Sequence, residues 1–145
     1  MHERIILTPD CVAEGAAYLA EIEPRFARAL DVTGPLPLRR RKDGFETLMV
    51  AIVSQQVSVA AADAIWNRLK AARLTGPRTV LRASEDELRA CGLSRQKIRY
   101  AKALAGAGLR FETLRTAPTD EVVRTLVEVP GIEFEQNPGA FLKRQ

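Results

Sequence analysis

An all-α fold, a compact bundle of several short helices, is what this 145-residue sequence predicts. Three observations predict it. Apolar residues recur at the helical period in several separate stretches, capping and breaking residues stand at the ends of those stretches, and no segment alternates confidently with the period of two that marks a strand. Apolar residues make up 46% of the chain and charged residues 28%, an ordinary balance for a folding domain with one core. No run approaches the roughly 18 apolar residues of a membrane span, and the N-terminus lacks the apolar core of a signal peptide. A cytoplasmic protein is expected, with no membrane partner.

The elements follow in order. Thr8-Pro9-Asp10 reads as an N-cap with proline at the first helical position, opening a helix to about Glu21, and a short second helix runs from near Glu23 to Leu30. Thr33-Gly34-Pro35-Leu36-Pro37 breaks the chain, setting an N-terminal segment, 1–38, apart from a core of 39–132. From Phe45 the apolar residues Phe45, Leu48, Met49, Ile52 and Val53 form one continuous stripe, the strongest periodic signal in the chain. Gln55 and Gln56 end that helix at a polar elbow. Ser58 caps the next, which carries Val59, Ala62, Trp66 and Leu69 on one face. Ser84 with Glu87 fits a capping box, and that short helix stops at Cys91-Gly92. Ser94 caps a helix with Ile98, Ala101 and Ala105 inward and Arg95, Lys97, Arg99 and Lys102 available to solvent or phosphate, ending at Gly106-Ala107-Gly108. Thr119 caps the last, with Val122, Val123, Leu126 and Val127 inward, and Val129-Pro130-Gly131-Ile132 closes it with a sharp turn.

Composition excludes much chemistry. Cys11 and Cys91 have no companions at metal-ligand spacing, and His2 is the lone histidine, so zinc, iron–sulfur and histidine-based nucleophilic sites cannot be assembled. Two buried, reduced thiols are expected, although a disulfide remains geometrically open. Charge is uneven within the net +4: residues 1–31 carry three positive and six negative side chains, whereas 65–102 carry ten positives against Glu85, Asp86 and Glu87. With the run Arg39-Arg40-Arg41-Lys42, these are enough to neutralise several phosphates, or to form a solvated arginine-rich face.

Three separated motifs carry a more specific message. The segment Gly44-Phe45-Glu46-Thr47-Leu48-Met49-Val50-Ala51-Ile52-Val53-Ser54-Gln55-Gln56-Val57-Ser58-Val59-Ala60-Ala61-Ala62 closely resembles its counterpart in the 3-methyladenine DNA glycosylase II family, of the helix-hairpin-helix base-excision superfamily. The resemblance continues through Cys91-Gly92-Leu93-Ser94-Arg95-Gln96-Lys97-Ile98-Arg99-Tyr100-Ala101 to Leu126-Val127-Glu128-Val129-Pro130-Gly131-Ile132, in the same order, and covers residues 40–132. It implies the helix-hairpin-helix glycosylase fold, double-stranded DNA with alkylated bases as partner, and extrusion of a nucleotide for N-glycosidic hydrolysis. Gln56 matches the side chain that wedges into the vacated stack, with Gln55 and Ser58 beside it as further DNA-binding positions. Arg95 and Lys97 match the phosphate-contacting region. Gly131 belongs to a turn whose amides face a phosphate, while the carbonyls of Val127, Val129 and Ile132 match positions able to hold a monovalent cation; no cofactor is required.

After Ile132 the match stops. Glu133 replaces the second hairpin glycine, and Pro138-Gly139 would interrupt a second hairpin helix. The family's catalytic aspartate lies well downstream of the hairpin, and here no aspartate follows Asp120; Glu135 stands where lyase-type relatives place lysine. The tail, 133–145, therefore reads as divergent, with disorder an open alternative, the product of truncation or a frame shift, with catalysis impaired and the core incomplete. Trp66 sits at core spacing, a packing residue before a base-stacking one, and Tyr100 and Phe111 stay ambiguous. Two other classes remain open: a noncatalytic helical module that binds DNA or an acidic protein, and a domain that self-associates through its unmatched core.

Overall fold

The computed structural model describes residues 6–133, and all the regular structure among them is helical. His2, Pro138-Gly139, Glu135 and the tail from residue 134 lie outside the described residues. The chain divides into two compact units, 1–41 and 42–145.

In the first unit, α1 (Pro9–Ile22) packs on α2 (Pro24–Thr33). Glu23 serves both helices: it is the C-cap of α1, and as N-cap of α2 its carboxylate accepts the Arg25 amide and pairs with the Arg25 guanidinium at 2.8 Å. Thr8 occupies the N-cap of α1 by backbone conformation, but its hydroxyl meets the Cys11 sulfur at 3.4 Å instead of capping an amide. Neither helix has a buried residue, so Cys11 is half-buried rather than buried.

The second unit holds α3 (Phe45–Ser54), α4 (Val59–Ala71), α5 (Pro77–Arg82), α6 (Glu85–Ala90), α7 (Arg95–Gly106), α8 (Phe111–Leu114) and α9 (Thr119–Val127). Helix α7 is the hub, packing against α3, α5 and α6, while α4 lies on α3. The expected stripe of α3 forms as read: Met49, Ile52 and Val53 are buried, with Phe45 and Leu48 against the cluster. Leu69, Val80, Leu88, Leu93, Ile98, Ala101, Leu104 and Val129 complete the core. Each large aliphatic side chain removed from water here contributes about 1.5–3 kcal/mol.

Three details of packing differ from the sequence reading. On α4 the inward face is Ala62, Ile65 and Leu69, with Trp66 at its margin and Val59 79% exposed, because the buried stripe lies one residue around from that expected. On α9 no residue is fully buried and Val127 is exposed; the element is anchored by Val129 and Ile132, just past its end. Thr119 is the first helical residue, and Pro118 holds the N-cap, its fixed φ of −56° placing the chain for the first turn.

The serine caps form as expected, with Ser58, Ser84 and Ser94 accepting the amides of Ala61, Glu87 and Lys97. Glu87 returns the bond to the Ser84 amide, closing the capping box. At the end of α6, Gly92 and Leu93 donate to Arg89 and Leu88, the two bonds of a Schellman motif.

Candidate nucleic-acid interface

The elbow between α3 and α4 begins with an unusual backbone. Gln55 has φ −60° and ψ 128°, and Gln56 follows at φ +56°. A positive φ after an extended residue is a succession that also occurs in type II turns, where the second of the two positions ordinarily takes glycine or asparagine. A side chain held in the left-handed region stores about 1 kcal/mol of strain, and such strain concentrates at functional positions. Both glutamines and Ser58 are exposed.

The hairpin turn lies against this elbow. The Gln55 side-chain nitrogen donates to the Gly131 carbonyl at 2.9 Å, across 76 residues of sequence. Gly131 has φ +91°, and a Cβ there would overlap the Tyr100 ring. Only glycine meets both demands. Tyr100, whose hydroxyl accepts from Gln96 at 2.7 Å one turn earlier, is therefore the floor of the hairpin turn. Sequence reasoning left Tyr100 ambiguous between core and base stacking; no local pattern shows that its ring meets a glycine 31 positions on.

The third side of the junction is the start of α7. The Lys97 ammonium donates to the Val53 carbonyl at 2.6 Å, satisfying a carbonyl in the last turn of α3. Burial holds the Lys97 ammonium below the ordinary lysine pKa. Lys97 was expected to face phosphate; the structure gives it this helix-end bond because its stem lies over the α3–α7 contact. Lys102, expected toward solvent or phosphate, likewise donates to Leu81 and Ala83 at the end of α5. Arg68 donates to the Cys91 carbonyl at the end of α6. Three of the ten cations in the basic block thus secure helix ends. Arg95, at the first position of α7, and Arg99 are exposed.

Elbow, hairpin turn and the first turns of α7 therefore form one junction: Gln55 meets Gly131, Tyr100 underlies Gly131, and Lys97 holds the end of α3. Gln56, exposed to solvent, is the residue after the clasp. Of the three carbonyls matched to a cation, that of Val129 accepts the Ile132 amide at 3.1 Å, and Val129 itself is buried. Among the described residues, no three His, Cys, Asp or Glu side chains converge as a metal-ligand set.

An all-helical bundle with a polar elbow clasped to a Pro-Gly turn after its last described helix defines a class. The chain belongs to the HhH-GPD superfamily of base excision DNA repair proteins, whose family model matches residues 49–136. Among individual proteins it is similar to DNA-3-methyladenine glycosylase 1 of Schizosaccharomyces pombe, with 28% identity over 127 residues, 79% of this chain and 56% of that protein. Its structure is similar to the crystal structure of a DNA-3-methyladenine glycosidase from Bacillus halodurans, with a TM-score of 0.67, 28% identity, and coverage of 79% of this chain and 56% of that one. It is also similar to the S. pombe 3-methyladenine DNA glycosylase in complex with abasic DNA, with a TM-score of 0.71, 26% identity, and coverage of 82% and 64%. The chain spans little more than half the length of the curated relative it matches.

Proposed function

We propose that this chain carries the DNA-reading part of an alkylpurine DNA glycosylase: it binds damaged double-stranded DNA and moves a nucleotide out of the stack. The observation that carries this reading is the direct bond between elbow and hairpin turn, which sets a wedge side chain and a phosphate-facing turn side by side. Extrusion disrupts stacking and pairing at a cost of a few kcal/mol, least at a damaged base, and a group entering the gap offsets part of it. Gln56 is that group; its amide both fills space and offers a donor and an acceptor to the base left without a partner. The Gly131 turn and Arg95 supply phosphate contacts, and Ser58 fixes the start of α4 beside the wedge.

The carbonyls of Val127, Val129 and Ile132 are compatible with a monovalent cation at the turn, since a carbonyl that accepts one amide retains a second lone pair. When bound, such an ion would bridge the hairpin to a phosphate electrostatically. These residues bind the duplex and extrude the nucleotide. The setting proposed for it is the bacterial cytosol or nucleoid, where such a substrate is at hand.

The similarity to an enzyme solved with abasic DNA supports the test. The protein should bind a duplex with an abasic-site mimic at least severalfold more tightly than the intact duplex, with affinity falling steeply as salt rises. Equal affinity for the two duplexes would contradict the wedge assignment. Self-association through the incomplete core is a second, compatible reading, favoured by Val59 and Val127 of the second unit, which are 79% and 43% exposed. Sedimentation across a concentration series tests it.

A further inference from the structure

We infer that Gln55 is a positioning residue, which sets the distance between the Gln56 wedge and the hairpin turn and thereby confers preference for interrupted duplexes. The inference rests on the DNA-reading assignment above and goes beyond it by giving Gln55 a task separate from DNA contact.

The geometry leads there in three steps. The Gln55 carboxamide is committed to protein: its nitrogen donates to the Gly131 carbonyl at 2.9 Å. Its backbone holds the first half of the turn that throws Gln56 into the left-handed region, so any shift of Gln55 is passed on to the next residue. And Gly131 cannot yield, because its α-carbon rests on Tyr100, which α7 carries, while Lys97 of the same helix holds the Val53 carbonyl two residues before Gln55. The elbow is thus referenced to the hairpin by one side-chain bond and to α7 by another. On a duplex, the wedge and the gripped phosphate must be a fixed distance apart for both to engage at once; engagement of the second is then intramolecular and strengthens binding without any new contact. An intact, stacked duplex engages the grip alone and gains nothing from the clasp.

The test replaces the donor while keeping shape and charge. Gln55→Met is close to isosteric, is neutral and cannot donate; Gln55→Ala is an independent replacement, and thermal unfolding checks that each folds. Affinities are measured for the duplex with the abasic-site mimic and for its intact counterpart. The ratio of the two should fall about fivefold in either variant, the scale of one ordinary hydrogen bond. In a Gln56→Ala background, Gln55→Met should change the ratio no further, since the clasp acts through the wedge. An equal loss of affinity for both duplexes would make Gln55 a direct DNA contact and overturn the inference. So would an unchanged ratio, or additive effects in the double variant. If the unaltered protein shows no preference between the duplexes, the DNA-reading assignment fails first and the inference with it; a preference undiminished by Gln55→Met defeats the inference alone.

Discussion

Gln56 is an ordinary residue in a conformation made for another. At φ +56° a glycine would sit without the strain that a side chain suffers, about 1 kcal/mol, so local stability alone argues for glycine. Gln56→Gly should accordingly leave the thermal midpoint unchanged or slightly raised, relief of strain offsetting glycine's larger loss of entropy on folding, while abolishing the preference for abasic duplex. A variant that lost stability instead would make Gln56 a structural residue. Lys97 and Arg95 make a contrasting pair two positions apart. Lys97 bonds a carbonyl inside the protein, so Lys97→Met should lower stability by about 1 kcal/mol and leave the salt dependence of DNA binding nearly unaltered. Arg95 is exposed, so Arg95→Ala should spare stability and reduce the slope of log affinity against log salt by about one, the contribution of one phosphate. Chemical denaturation and salt titration of the two variants check both halves.

At the scale of elements, the caps decide where helices begin, and they were legible because a cap is a local code. Ser58, Ser84 with Glu87, and Ser94 each stand three residues from the amide or carboxylate they engage, and all three form. The α3 stripe was legible for the same reason. What local pattern could not show is what meets across the fold: Gln55 with Gly131, Lys97 with Val53, Arg68 with Cys91. Those bonds depend on how helices pack, and a lysine or arginine destined for a carbonyl looks in sequence like one destined for solvent. The same blindness misplaced Val127, whose spacing fits an inward face on a helix that is held mainly by the residues after its end. Ser84→Ala should destabilise the protein by about 1 kcal/mol, as measured by denaturant unfolding at neutral pH. The bonds to Ser84 hold the Glu87 carboxyl below the usual glutamate range. Its folded pKa being depressed, Glu87 contributes stability that is present above the unfolded value of about 4.3 and is lost as pH falls through the folded value. Replacing Glu87 with Gln should therefore flatten the acid limb of the stability profile, and an unchanged limb would remove the carboxylate from the account.

Across the whole molecule, the second unit brings the elbow, the turn at Gly131 and the start of α7 together at one junction, and the α7 hub joins its parts. Its basic charge divides between exposed arginines, which can meet phosphate, and cations already bonded to helix ends; total charge therefore overstates the nucleic-acid surface. Family membership rests on residues 49–136, a span that includes the elbow, α7 and the hairpin turn. The central claim is that this junction displaces a nucleotide from paired strands. Its most direct measure is the emission of a stacking-sensitive fluorescent base analogue placed at the target position of a duplex and titrated with the protein. Emission should rise as the complex forms and should stay flat with Gln56→Gly at matched occupancy. Complete binding by the unaltered chain with no rise in emission would show that the base stays in the helix, and would contradict the claim.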